Sequence, residues 1–510
     1  MRYGSILGGA IGAICMAAAP AAFAGKADDT LVWATNKEVN VVLPFYNNLR
    51  ETVISARHMW DTLLYRNPEN FEYEPLLAKS YKWVDDVTLE FELREDVTFH
   101  DGSKFDADDV VSTFNHIVKP DSGVLSRNYY DWMKSTEKLG DYKVRINLKE
   151  PYPAALEMLA GPIAIMPDGI WEKAKKDTTG KPDYGTIPAI GTGPYKLAEF
   201  KVSESFTMER FDDYFGGARG KAKIKTVKFR TIADPETQLA ELMTGGIDWV
   251  WDVPKEKAEQ LEMMPQLTVV NADTMRVSYM GMDAAGRGGD NPFTKLKVRQ
   301  AVAHALNRES IAKNLIGGAS RVVHTPCYPS QVGCTQDVPQ YEYNPEKAKK
   351  LLAEAGYPNG FETDIYAYRE RHLTEAAMGD LQAVGIKTNL KYMQYQALRG
   401  LVWEGKTPIF HMTWGSSSVN DISAFTSLFF EGGRDDSCRD EQVIADLKKG
   451  DVTIDPEERN AVYKKALTRI AELACWVPMF TYSKYYAFSK ELDFTPSADE
   501  LPEFYRASWK

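Results

Sequence analysis

The chain has 510 residues, 44% hydrophobic and 12% aromatic, enough apolar surface for two or three packed domains. Its 72 acidic residues outnumber 61 basic ones, giving a formal net charge of −11, and no Lys/Arg run breaks that balance. A nucleic-acid partner, whose phosphates need a basic face, is therefore excluded from the expected function.

At the N-terminus, Arg2 precedes an apolar, Ala/Gly-rich run from Ser5 to Ala19. That run has the length of a signal-peptide core and falls short of the ~20 residues that span a bilayer. Ala22-Phe23-Ala24 is an A-x-A cleavage pattern, so residues 1–24 are expected to be a signal peptide cleaved after about Ala24. No later stretch is long and apolar enough to span a membrane, and the mature chain is expected to be exported and soluble in the periplasm.

The body alternates helical and strand patterns without repeats. Thr88 to Arg94 alternates apolar and polar residues as a half-buried strand does, and Val97-Thr98-Phe99 is expected to continue it. His100 to Ser103 is a tight turn with Gly102 at its permissive position. Asp106 then caps a helix with Val110, Val111, Phe114 and Ile117 on one face. Gly191-Thr192-Gly193-Pro194 reads as a sharp turn into a strand. Trp249 and Trp251 alternate along one strand, as a stacking wall for a ligand or as core. Val298, Val302, Ala305 and Leu306 share a helical face that breaks at Asn307. Asn344 caps a helix with Pro345 at its first position and Gly356 beyond its end. Glu375 to Ala383 is helical, and Val384 to Leu390 turns into another strand.

Four cysteines remain in the mature chain, and an even number in an oxidising compartment favours disulfides, although four allow three pairings. Cys327 and Cys334 flank a Pro/Gly-containing loop and are expected to pair, leaving Cys438 for Cys475. A zinc site is the competing reading, but no C-x-x-C occurs and no His adjoins them. There is no G-x-S-x-G or H-E-x-x-H, and the seven histidines show no ligand spacing on a shared face. His100-Asp101 fits a turn before a capped helix better than an acid–base pair. No catalytic, cofactor or metal site is expected.

Four passages carry a resemblance: Leu93-Arg94-x-x-Val97-x-Phe99-His100-Asp101-Gly102 into Phe105-x-Ala107-x-Asp109-Val110; Gly191-Thr-Gly-Pro-Tyr195; Val298-Arg-Gln-Ala-x-x-x-Ala-Leu-Asn-Arg308; and Tyr343-Asn-Pro-Glu-Lys-Ala-x-x-Leu-Leu-x-x-Ala-Gly356. In this order they resemble the family 5 extracellular solute-binding proteins, receptors for dipeptides, oligopeptides, glutathione, opines and nickel. The resemblance implies an α/β periplasmic-binding-protein clamp of the cluster C, or type II, kind: two hinged lobes and an extra inserted domain. One lobe is expected from 25–62, 188–282 and 483–510, the inserted domain from 63–187, and the opposite lobe from 283–482. Val277 to Asp283 and Phe480 to Tyr485 are the expected hinge crossings. It further implies a monomer that binds a small molecule, a short peptide or peptide-like solute, and hands it to the permease and ATPase subunits of an ABC importer. The alternatives are a non-peptide solute (an opine, a sugar-phosphate conjugate or a small organic acid) and a receptor presenting its ligand to a chemosensor.

The same resemblance points to ligand contacts in Phe410 to Asp421. Peptide receptors carry Trp-x-x-Asp there, the carboxylate pairing with the peptide's amino terminus. This chain has Trp414, Gly415, Ser416 and then Ser417, and a hydroxyl cannot neutralise a buried ammonium. Asp421 either takes that role or caps the helix through Leu428. Arg369, Arg371 and His372 form a second cluster, in which one arginine grips a carboxylate or the charges face water. Tyr46 and Asn47 lie in a pocket-loop position. Trp403 and Tyr395 carry the same ambiguity between cleft and core as the tryptophans above.

Overall fold

The computed structural model describes residues 25–415 and 418–510. The expected signal peptide, residues 1–24, and two expected contact residues, Ser416 and Ser417, lie outside the described residues.

One mixed sheet of ten strands organises the molecule. Across it run Tyr195–Lys201, Ser205–Arg210, Thr226–Thr231, Thr30–Thr35, Trp249–Val250, Trp476–Ser489, Leu267–Met282, Ile409–Trp414, Phe361–Ala367 and Ile386–Tyr392. Two of these, Leu267–Met282 and Trp476–Ser489, are long, rich in Val, Tyr and Phe, and antiparallel to each other. Their register breaks between Asp273 and Val277, opposite Thr481 to Ser483. Before the break, Leu267 to Asp273 pairs with Ser483 to Ser489, whose neighbour is Trp249–Val250. After it, Val277 to Gly281 goes on pairing with Thr481 to Trp476, and Val277 to Met282 also gains Ile409–Trp414 on its other edge. The Thr274 hydroxyl caps the gap by donating to the Tyr482 carbonyl at 2.9 Å.

The apolar cores divide along the same line. One cluster joins Trp33, Trp249, Phe488 and Phe504 to the small domain's Phe91, Val110 and Ile146. Two others lie beyond the break: one holds Met280, Val302, Ile365 and Val477, the other Tyr279, Phe425, Tyr463 and Trp476. The small domain is a four-stranded antiparallel sheet, in the order Ala78–Asp85, Thr88–Leu93, Lys143–Leu148 and Met133–Gly140, backed by the helix Ala107–Ile117. Asp106 caps that helix and Asp109 returns the bond to the Asp106 N–H at 2.8 Å, a complete capping box. Asn344 caps as expected, accepting from Lys347, and Asn307, expected at a helix break, also caps the helix that follows, accepting from Ser310.

Three local expectations change. The strand ends at Leu93, because the Arg94 N–H turns to the Leu77 carbonyl; Val97 to Phe99 form a loop with one bridge, Thr98 to Lys104. The helix expected from Glu375 begins earlier, spanning Arg371–Ala383. Gly191 and Gly193 serve a close approach, not a turn: a Cβ would stand 2.0 Å from the Met59 carbonyl oxygen at Gly191 and 2.6 Å from that of His58 at Gly193. His100 fastens this contact, accepting from the Gly191 N–H at 3.2 Å and donating to the Gly193 carbonyl at 3.0 Å. Burial lowers its pKa to about 4, which suits a neutral structural imidazole.

Cys327–Cys334 and Cys438–Cys475 are disulfide-bonded. Among the described residues, no helix is long and apolar enough to cross a membrane.

Candidate functional site

A cavity of about 240 Å³ lies against the helix Arg50–Met59. Its apolar walls are Phe45, Leu125, Tyr129, Tyr130 and Pro162; its charged groups are Arg50, Arg57, Arg219 and Glu157. Ser418 and Val419, which arrive from beyond the register break, close it on one side.

That closure is tightly built. Val419 is buried within the apolar cluster of Trp33 and Phe504. The Ser418 hydroxyl accepts from Arg50 Nη1 at 2.6 Å and lies 2.6 Å from the Asp499 carbonyl, to which it donates. The Ser418 carbonyl accepts from Arg66 Nη1 at 2.9 Å, and the Asn420 N–H donates to Glu157 Oε1 at 2.9 Å. Beneath this plug Arg66 pairs with both Glu157 and Asp499, and Arg57 also reaches Asp499 at 3.3 Å. Burial alone would raise the Asp499 pKa; the facing Arg57 and Arg66 outweigh it and hold the carboxyl below its usual range. Glu500 next to it pairs with Lys484 at 2.8 Å and Arg50 at 3.6 Å. Its burial is likewise outweighed, by Lys484, Arg50 and Arg276, and its pKa falls to about 2. Ser418 (φ 65°) and Glu500 (φ 59°) both hold the left-handed conformation that non-glycine residues avoid, and such strain gathers where two parts of a molecule must fit.

Asn47 lines the cavity, but its amide is spent within its own loop, on Val41 O at 3.0 Å and the Leu49 N–H at 3.0 Å. Tyr46 turns away into the small domain, its hydroxyl 2.8 Å from His116 Nε2. Trp249 is fully buried among Trp33, Tyr486 and Phe504, and its strand ends at Val250. Trp251 lies half-buried under Lys484 Nζ, 4.7 Å from its ring centre. Asp421 is engaged twice: it accepts two bonds from Arg459, at 2.7 and 2.9 Å, and one from the Ser423 N–H at the start of the helix Ser423–Phe429.

Beyond the break, Trp414 packs against Phe429, and Gly415 abuts the Arg276 guanidinium, 3.1 Å from where a Cβ would stand. Arg369 pairs with Glu370 and lies over Tyr482. Arg371 pairs with Glu375 at 2.7 Å on the exposed helix face, and His372 is exposed beside it. Trp403 is covered by Arg434 and Arg399, 4.1 and 4.9 Å from its ring centre, and Tyr395 bonds Arg399 at 3.2 Å. Of all these, only Asn47 reaches the cavity wall. The sequence reading missed Arg50, Arg57, Glu157 and Ser418. Arg50 and Arg57 carried one legible signal, two cations seven residues apart on one stripe of an otherwise buried helix.

Comparison with known proteins places this architecture. The family model described as bacterial extracellular solute-binding proteins, family 5 Middle, matches residues 72–437. The glutathione-binding protein GsiB of Salmonella paratyphi A is 27% identical over 501 residues, covering 94% of each chain. The structure of HbpA2 from Haemophilus parasuis superposes with a TM-score of 0.82 at 26% identity, covering 94% of this chain and 100% of that one. DppA from Helicobacter pylori, solved in complex with the peptide STSA, shares the fold with a TM-score of 0.75 at 24% identity over 96% of this chain and 98% of that one. A pair of long strands shared by both halves of the sheet, a small domain on one side and a cavity lined from both sides of the register break suit a solute-holding clamp, and the chain belongs to the bacterial extracellular solute-binding proteins of family 5.

Proposed function

We propose that this chain is the periplasmic receptor of an ABC importer and that it holds a short, acidic peptide-like solute between its lobes without chemical change. The lobes are 25–62, 188–282 and 483–510 on one side, with 63–187 inserted, and 283–482 on the other. The observation that carries the reading is the composition of the cavity wall. Arg50, Arg57, Phe45 and Leu501 come from one lobe and Tyr129, Tyr130 and Glu157 from the inserted domain, while Ser418 and Val419 come from the opposite lobe. A solute there touches both halves and so favours the closed form.

The charge pattern supports an acidic solute. Asp421 is committed to Arg459 and Glu157 to Arg66, so neither offers a free carboxylate to a peptide's ammonium. Glutathione, which names the relatives above, is a tripeptide-like molecule with two carboxylates and one ammonium, and it fits that balance. The same balance favours a second reading, a non-peptide organic acid such as an opine.

The receptor acts as a monomer. Closed around its solute, it docks on a permease whose ATPases drive release. Calorimetric titration with glutathione, dipeptides, tripeptides and opines tests this, with small-angle scattering on the same samples. One solute per chain and a smaller radius of gyration on binding are expected. Binding of opines alone moves the assignment to the second reading; turnover of any of them, or an unchanged radius at saturation, overturns the receptor mechanism.

A further inference from the structure

Arg276 stands in the register break of the long strand Leu267–Met282, where the two halves of the sheet meet. Its guanidinium offers five N–H donors, and among the described residues one is used, by Nη1 on the Thr413 hydroxyl at 3.3 Å. Its Nε is buried with no hydrogen-bond partner. Among the described residues no carboxylate lies within ion-pair distance of it, although carboxylates are near. The closure holds Arg50, Arg57, Arg66, Arg276 and Lys484 against Asp252, Glu157, Asp499 and Glu500. Each of the four carboxylates is bonded to one or more of the other cations, and Arg276 acts on Glu500 only from beyond ion-pair distance.

A guanidinium in this state is unusual, because a partly buried cation without an ion-pair partner keeps its desolvation cost and recovers little of it. Nη2 faces Gly415, where a Cβ would crowd it at 3.1 Å, so no side chain at that position competes for the fork. Beside Gly415, the indole N–H of Trp414 is also buried without a partner. The arginine singled out from the sequence, Arg369, is by contrast neutralised by Glu370.

We infer that Arg276 is the group that takes a carboxylate of the bound solute, in the two-pronged geometry that a guanidinium fork allows. This rests on the reading of the chain as a receptor for an acidic peptide-like solute and assigns the residue that selects for acidity. An anion held there sits at the pivot, between Thr413 and Gly415 on one side and the Glu500 cluster on the other.

The test measures affinity for three probes: glutathione, glutathione amidated at the glycine carboxyl, and glutathione amidated at the glutamyl α-carboxyl. Each is titrated into the native protein, Arg276→Met and Arg276→Lys, with melting curves to verify folding. One of the two amides is expected to bind the native protein at least tenfold more weakly than glutathione. In Arg276→Met that penalty shrinks to less than twofold, and Arg276→Lys retains part of it. A penalty that survives intact in a folded Arg276→Met overturns the assignment while leaving the receptor reading in place, as does a native protein that binds all three probes equally. A native protein that binds none of the three overturns the glutathione-like reading, and the assignment falls with it.

Discussion

Arg459 grips Asp421 through two parallel hydrogen bonds, 2.7 and 2.9 Å long, with both side chains buried. Asp421 follows directly on Ser418, Val419 and Asn420, which plug the cavity, so this pair anchors the plug from behind. Replacing Arg459 with Leu leaves a buried carboxylate without its partner, a loss of about 3–5 kcal/mol by analogy with other broken buried pairs. The midpoint of urea unfolding is expected to fall accordingly, and the double variant Asp421→Leu, Arg459→Leu to recover part of the loss. A single Arg459→Leu variant as stable as the native protein would contradict the anchoring role.

Ser418→Ala removes the hydroxyl that joins Arg50 to the Asp499 carbonyl across the closure. Hydrogen bonds to charged groups contribute about 1.5–3 kcal/mol. Solute affinity is therefore expected to drop roughly tenfold or more, chiefly through faster dissociation. The melting temperature of the solute-free protein should move little, and stopped-flow release kinetics read the effect directly.

Asp248 provides a pH signature. It is buried, accepts from the Val32 N–H at 2.7 Å and has its pKa pushed up to about 7 by desolvation. The folded form therefore holds a proton that the unfolded chain gives up near pH 4. Stability from this group is full below pH 4, declines as pH rises from 4 to 7 and is level above. Asp248→Asn should flatten that part of the profile, measured as unfolding midpoints from pH 4 to 8.

The two disulfides should differ in weight. Cys438–Cys475 spans a sequence separation of 37 and Cys327–Cys334 one of 7. On the chain-entropy account the longer loop stabilises more, by about 1.4 kcal/mol. Paired Cys→Ser variants at each site, compared by denaturant unfolding, give the order.

Features encoded within a few residues were legible in the sequence. The capping residues Asp106 and Asn344 declare themselves because cap, first turn and apolar face are adjacent in the chain. The glycines at 191 and 193 were visible but their reason was not, since it lies in the backbone of His58 and Met59, far away in sequence. Trp249 looked equally suited to cleft or core because alternation gives a face without saying what covers it; Trp33 and Phe504 cover it. The ionic partners were the least legible. Arg66 meets Asp499 across 433 residues and Ser418 across 352, and nothing local marks either end. Asp421 showed why a free carboxylate cannot be assumed from position alone: its counter-ion comes from a helix 38 residues on.

The sharing of the sheet between two long crossing strands has a consequence for biosynthesis. Residues 279–482 complete their own apolar clusters from one uninterrupted stretch, whereas the core around Trp33 and Trp249 needs Phe488, Phe504 and Tyr505 from the last part of the chain. A polypeptide emerging N-terminus first can finish the later-encoded half before the earlier one, whose strand Trp249–Val250 must wait, unpaired on one side, for Trp476–Ser489 to appear.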